Sequence, residues 1–350
     1  MIATRQQIVV QQFCQSVNEL LRAGQVEAGA ILGHVPLPHE AATEDERALL
    51  DTLRATYRQA ARPTDFVTRR ISRADETFEQ CYELLRLTFQ PAELSPRVGY
   101  VRHLTAQAAT PAARSDVPYV LMGRFWRVAG PQRYDAAGRL VCFGFDPLTV
   151  TEQVASVISG NYMTLVPPAG PGMGIGAIGH LATRETLRRR GGHGGTLVAQ
   201  FEREMGTVAA ARGETLSLLV LEAEPDAMTF WARQGYRWPV GSRYAQPPLD
   251  WDPATGERRY DEVPELLMVK NPHDPAATMI DTVLLRHAVR TLYENWCLAR
   301  ARTFAPEAAA RAVQYVEGVY AAFEASLPAG APSVPLGEPP ASIPALHSAG

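Results

Sequence analysis

Apolar positions recur along this chain in blocks whose period changes several times. Ile8, Val9, Phe13, Val17, Leu20 and Leu21 return at helical spacing opposite a glutamine-rich face. Thr43-Glu-Asp-Glu46 is a capping box ahead of Leu49, Leu50, Leu53 and Tyr57, so a second helix is expected there. Arg62-Pro63-Thr-Asp65 breaks the pattern, and Phe66–Ile71 reads as a strand. Ser72-Arg-Ala-Asp75 then caps a helix carrying Phe78, Cys81, Tyr82, Leu85 and Phe89. Tyr119–Val128 and Arg139–Phe145 read as antiparallel strands, with turn chemistry at Asp135-Ala-Ala-Gly138.

The middle of the chain carries the candidate chemistry. Gly174–Thr183 reads as a strand, and Arg189-Arg-Gly-Gly-His-Gly-Gly-Thr196 is a basic, glycine-dense loop. The loop runs into a helix with an apolar stripe of Leu197, Phe201, Met205 and Val208. Bare amides at a helix start, with the macrodipole behind them, make an anion site, and glycines let a phosphate approach the backbone closely. Thr215–Glu222 reads as a buried strand, and Ala227–Tyr236 as a short helix ending in Gly-Tyr. A long polar stretch, Gly241–Asp261, follows with Tyr244, Pro247-Pro248 and Trp251, and Glu265–Lys270 is a closing strand. Asp274-Pro275 is expected to start a helical pair, with Ile280, Leu284, Leu292 and Trp296 on one face of the first helix. The second carries Val313, Val316, Tyr320, Phe323 and Leu327.

Strand, Arg-x-x-Gly-x-Gly loop, long helix, strand, short helix, Gly-aromatic: this order resembles the acyl-CoA-binding core of the GNAT N-acetyltransferase superfamily. Arg189, Gly192 and Gly194 match its loop motif, and Glu224, Ala227, Phe230, Trp231, Gly235 and Tyr236 fall on its later motif. The specific part of the resemblance covers residues 174–240, the looser part 63–272. It implies an α+β fold, a GNAT-type mixed, mostly antiparallel sheet flanked by helices. Around that domain (63–272) the expected additions are an N-terminal helical extension (1–62), a C-terminal helical pair (273–327) and a disordered Pro/Ala/Gly-rich tail (328–350).

The same resemblance implies acyl transfer from acetyl-CoA to a primary amine. The coenzyme pyrophosphate would lie on the loop of Arg189, Gly191, Gly192, His193, Gly194, Gly195 and Thr196. The strand end Leu181, Ala182 and Thr183 would offer an N–H to the acyl oxygen, and Phe230 and Trp231 fall on family positions beside the coenzyme. Two positions depart from the family: Glu224 replaces Asn, and Trp231 replaces the Tyr that often protonates the leaving thiolate. A thiol pKa near 8.5 lets that thiolate depart with modest help. An alkyl ammonium, with a pKa near 10.4, needs its proton removed. His180, on the strand before the loop, is the candidate base or proton shuttle, with Glu222 and Glu224 as carboxylate alternatives. A non-catalytic acyl-CoA sensor or scaffold is the rival reading, motivated by Trp231.

Three other motifs fail on context. Gly174-x-Gly176-x-x-Gly179 matches the dinucleotide fingerprint, but a β-like segment follows it where a helix is required. His34-Val-Pro-Leu-Pro-His39-Glu40 lacks further zinc ligands, so no metal is expected. Asp250-Trp-Asp252-Pro-Ala-Thr-Gly256 has its glycine one place late for a calcium loop and reads as a turn. Composition is that of an ordinary globular protein: 350 residues, 46% hydrophobic, 20% charged, net charge −3. The basic runs are too short to suggest nucleic acid, and no apolar run reaches membrane length. Four separated cysteines (Cys14, Cys81, Cys142, Cys297) and a polar N-terminus lead to the expectation of a cytoplasmic protein. The helical additions are candidates for a homodimer interface or a cover over the acceptor cleft.

Overall fold

Helix α1 (Arg5–Arg22) buries Val9, Val10, Phe13 and Val17, and α2 (Glu44–Ala60) buries Leu50 and Leu53. The two pack together. The capping box forms as expected: Glu46 Oε2 accepts from Thr43 N at 2.9 Å, and Thr43 Oγ1 accepts from Glu46 N at 3.3 Å. These helices belong to the smaller of two units, Met1–Arg69 with Arg124–Ala155 and Arg184–Arg190. That unit also holds most of β1 (Phe66–Arg70). The computed structural model describes residues 5–22, 43–60, 66–90, 93–109, 118–130, 149–165, 172–188, 192–247, 251–258 and 265–340. Arg139–Phe145 and the His34–His39 motif lie outside the described residues.

The larger unit is Arg70–Gly123, Ser156–Thr183 and Gly191–Gly350. It begins with α3 (Glu76–Thr88), N-capped by Asp75, whose Oδ1 accepts from Phe78 N at 3.2 Å, and α4 (Arg97–Ala109). The first part of β2 (Tyr119–Gly130), the part of β3 (Thr149–Thr164) from Ser156 onward and β4 (Met173–Thr183) follow, then α5 (His193–Ala211) and β5 (Thr215–Ala223). Helix α6 (Met228–Arg233), the two-residue β6 (Trp238–Pro239) and β7 (Leu266–Lys270) complete the domain. In the sheet β2, β3, β4, β5 and β7 lie side by side in that order. β3 and β4 are antiparallel, β4 and β5 parallel, β5 and β7 antiparallel.

The apolar run of β5 is explained by cover on both faces, the rule for a strand in the middle of a sheet with helices on each side. Leu219, Leu221 and Ala223 pack with the stripe of α5, which buries Leu197, Val198, Phe201 and Met205. Leu218 and Val220 face the opposite way, into a cluster with α7 (Thr282–Tyr293) and α9 (Pro306–Ser326). α7 runs through a π-turn at Glu294–Leu298 into the short α8 (Ala299–Ala301).

Two expectations about the C-terminal section are corrected. Asp274 does not start the helix. Its Oδ1 accepts from Ala276 N in a local turn, and Asp281, whose Oδ1 accepts from Leu284 N at 2.7 Å, is the N-cap. Ile280 is therefore not on a helix face but in β8 (Met279–Asp281). The tail expected to be disordered supplies β9 (Ser333–Gly337), which lies between β6 and β8 in a small second sheet. Pro335 lacks an N–H, yet its carbonyl accepts from Val240 N at 2.8 Å, and Val334 is fully buried. Burial of Val334 and pairing to strands distant in sequence outweigh a composition that alone suggests disorder.

Candidate functional site

The parallel pairing of β4 with β5 runs from Met173↔Thr215 to Ile178↔Leu221 and then stops. β4 nevertheless continues, paired with β3 as far as Thr183↔Ser156. The strand end Leu181–Thr183 is thus bonded on its β3 side and parted from β5 on the other. The parting coincides with a bulge. Ser159 pairs with His180 and Gly160 with Ile178, which leaves Gly179 without a partner on β3. The Gly174-x-Gly176-x-x-Gly179 motif therefore sits inside β4 and not at a strand-to-helix turn. Two of its glycines, Gly174 and Gly176, are explained by packing: a Cβ on Gly174 would clash with the Tyr162 side chain, and one on Gly176 would lie 2.9 Å from Leu219 Cδ2 and 3.1 Å from Met205 Cγ.

Helix α5 starts beside this strand end. Gly192 is its N-cap with φ +63°, a left-handed conformation that favours glycine. The first helical bond runs from Thr196 N to the Gly192 carbonyl at 3.0 Å, so the amides of Gly194 and Gly195 precede the helical ladder. The Cβ direction of Gly194 lies 3.4 Å from the Phe230 ring and 3.5 Å from Thr183 Oγ1, which brings loop, strand end and α6 to one place. Thr183 Oγ1 is also 2.9 Å from Ser156 Oγ. His193 is buried. Gln234, which sequence reading passed over, has its side-chain amide 3.0–3.2 Å from the Cβ direction of Gly195. Phe230, not Trp231, faces the helix start. Trp231 is buried against Tyr236, ring centroids 5.4 Å apart. Arg189 and Gly191 lie outside the described residues.

His180 makes two ring contacts. Nε2 lies 3.0 Å from the carbonyl oxygen of Glu93, and Nδ1 lies 3.2 Å from Ser159 Oγ. A carbonyl can only accept, so Nε2 carries the proton. Burial lowers the pKa of His180 against an opposing pull from Glu93, so Nδ1 accepts from Ser159 at neutral pH. Phe89 packs edge-on at 4.9 Å.

Glu222 and Glu224 lie at the end of β5, on the parity of Val220. The β5–β7 register pairs Glu222 with Leu267 and Ala223 with Leu266, which brings Glu265 to the level of Glu224. Glu222 accepts from the hydroxyl of Tyr244, and from Gln246 Nε2 at 2.6 Å. Burial pushes its carboxyl up to about 7, against the lowering effect of those two donors. Glu265 is pushed up to about 9 by burial and then by Glu222, Glu224 and Glu93, and its Oε2 has no hydrogen-bond partner. Glu224 is exposed yet also raised, by partial burial and by Glu93 and Asp226. Glu93 thus joins the His180 contact to the carboxylates. Glu265 and Glu93 were not legible as site residues, and Tyr244 and Gln246 only as part of the polar stretch Gly241–Asp261, a candidate for acceptor specificity. They lie on a loop, a strand start and a turn, and no spacing ties them to Glu222.

No protein-family model and no curated protein matches the sequence. Solved structures do resemble it. NAA60 from Arabidopsis thaliana in complex with acetyl-CoA is 10% identical, with 59% of this chain and 98% of that one covered and a TM-score of 0.36. A GNAT-family acetyltransferase from Streptococcus pneumoniae is 13% identical over 59% and 99% of the two chains, TM-score 0.33. GCN5 from Tetrahymena is 13% identical over 61% and 98%, TM-score 0.27. The fold is α+β, a mixed sheet flanked by helices on both faces. Along the chain α3 and α4 lie between β1 and β2, and the glycine-rich segment lies between β4 and α5. Among the described residues no helix is long and apolar enough to cross a membrane, and no group of three metal-binding side chains occurs.

Proposed function

We propose that the protein transfers a short acyl group, in the simplest case acetyl, from coenzyme A to a primary amine. One observation carries this reading: β4 and β5 part beyond Ile178 and Leu221, where the glycine start of α5 meets the strand end. A diphosphate would be held by amides at the start of α5, those of Gly194 and Gly195, which follow the left-handed cap Gly192. The open edge of Leu181–Thr183 would donate a backbone N–H to the thioester oxygen as charge develops there.

In the transfer the amine lone pair forms a C–N bond to the acyl carbon and the C–S bond breaks. The amine proton passes to a base, and the sulfur leaves as thiolate. Glu222 fits the base better than His180, whose two ring nitrogens are both engaged. A carboxyl raised to about 7 is half ionised at neutral pH and accepts a proton readily there. Glu224 adds negative charge that would draw an ammonium in, whereas Glu265, pushed up to about 9, stays protonated at neutral pH. The expected partners remain the coenzyme and the amine, and the expected compartment the cytoplasm. Turnover is tested by incubating the protein with acetyl-CoA and a panel of amines while following free thiol. Release with at least one amine supports the reading, and absence of coenzyme binding overturns it. Tight binding with no turnover would instead support the acyl-CoA sensor, which the buried indole of Trp231 favours, since no phenol stands at that position.

A further inference from the structure

The segment Arg243–Gln246 between β6 and β7 is tied to the C-terminal helices at three successive residues. Arg243 N donates to Ser326 Oγ at 2.9 Å, at the end of α9. The ring of Tyr244 packs against Tyr293 of α7 and Phe323 of α9, centroids 5.8 and 6.4 Å apart. The carbonyl of Ala245 accepts from the hydroxyl of Tyr293 at 2.5 Å. Tyr244 and Ala245 are both buried. The free ends of this anchored segment are the Tyr244 hydroxyl and the Gln246 amide, and both donate to the carboxylate of Glu222.

We propose that Tyr244 and Gln246 are positioning residues for Glu222, and that α7 and α9 act on acyl transfer by holding these two donors in place. The proposal rests on the reading of Glu222 as the base. It gives the C-terminal helices a role in the chemistry. Two donors aimed at one carboxylate orient it and favour its ionised form, opposing the effect of burial. The groups around Glu222 leave little else to do so. Glu265 before β7 and Cys297 in the π-turn are acids whose ionisation the charge of Glu222 opposes, so neither stabilises its carboxylate. Among the described residues no Lys or Arg makes an ion pair with it. The Tyr244 hydroxyl is held protonated far above its ordinary range, by burial and by Glu222, so it stays a donor at all working pH values.

Tyr244→Phe keeps the ring and its packing and removes only the donor. In a turnover assay the acidic limb of its pH–rate profile should move upward by about one to two units, the equivalent of a hydrogen bond to a charged group. The rate at pH 7 should fall about tenfold and return towards wild type near pH 9, as a folding defect would not. Tyr293→Phe, which keeps the ring and removes the donor to the Ala245 carbonyl, should shift the limb in the same direction by less. Carbon-13 NMR of glutamate-labelled protein, with the Glu222 signal assigned through Glu222→Gln, reads the same titration without turnover. An unmoved Glu222 titration in Tyr244→Phe would overturn the proposal. So would a rate loss that does not recover at high pH. If wild type acylates no amine, the functional reading falls by itself, and the NMR titration still decides whether Tyr244 governs Glu222.

Discussion

Nε2 of His180 donates to the backbone carbonyl of Glu93 at 3.0 Å, and that one bond decides what the imidazole can do. With Nδ1 taken by Ser159, the ring joins the turn after α3 to β4 and has no nitrogen left for a substrate proton. His180→Ala should therefore cost stability, about 1–3 kcal/mol for unpaired buried partners, while the pH–rate limb stays in place. Burial depresses its folded pKa, so the unfolded state takes up a proton first as pH falls. Stability from this residue is full above the ordinary histidine range and declines as pH drops below about 6.5. Melting curves of wild type and mutant between pH 5 and 8 measure both effects. A mutant with wild-type stability and no acidic limb would return His180 to the role of base.

Glu222→Gln should reduce the maximal rate by about a hundredfold or more, the usual contribution of a general base. In wild type the rate should rise with pH through about 7, because the raised carboxyl must lose its proton to act. In the mutant that limb should vanish with coenzyme affinity unchanged. Steady-state rates across the pH range, beside calorimetric titration with acetyl-CoA, separate the two parameters.

Gly194→Val should abolish the stabilisation given by acetyl-CoA, which in wild type should reach about 2.7 kcal/mol at a hundred times the dissociation constant. The added side chain would crowd Phe230 and Thr183 where the loop, strand end and helix meet. Gly176→Ala is the contrasting change. Its Cβ would press on Leu219 and Met205, so it should melt lower yet keep the ligand-induced shift. Thermal shift with acetyl-CoA, and with NADH as the control ligand, reads both variants. A clear shift with NADH alone would overturn the placement of the phosphate site.

Val334→Asp should destabilise the protein by roughly 3 kcal/mol or more, because it buries an unpaired carboxylate in the middle strand of the small sheet. Denaturant unfolding measures it. A surface-like loss of about half a kcal/mol would mean that β9 is not held against β6 and β8 in solution.

What the sequence determined alone is what depends on near neighbours along the chain. The Thr43–Glu46 box, the Asp75 cap, the stripe of α5 and the doubly covered run of β5 are set by contacts three or four residues apart or by a strand's own apolarity. The glycine loop at the start of α5 was legible for the same reason, since Gly192 answers to its own backbone conformation. What the tertiary structure decided depends on partners remote in sequence. Asp281 prevailed over Asp274 as the N-cap because β8, paired to β9, ends there. The tail became a strand because β6 and β8 offered it edges. His180 lost its free nitrogen to a turn 87 residues away, and Glu222 gained its donors from a loop that α7 and α9 hold. Spacing encodes periodicity and caps. A carboxylate's proton affinity is set by whichever groups the fold buries beside it.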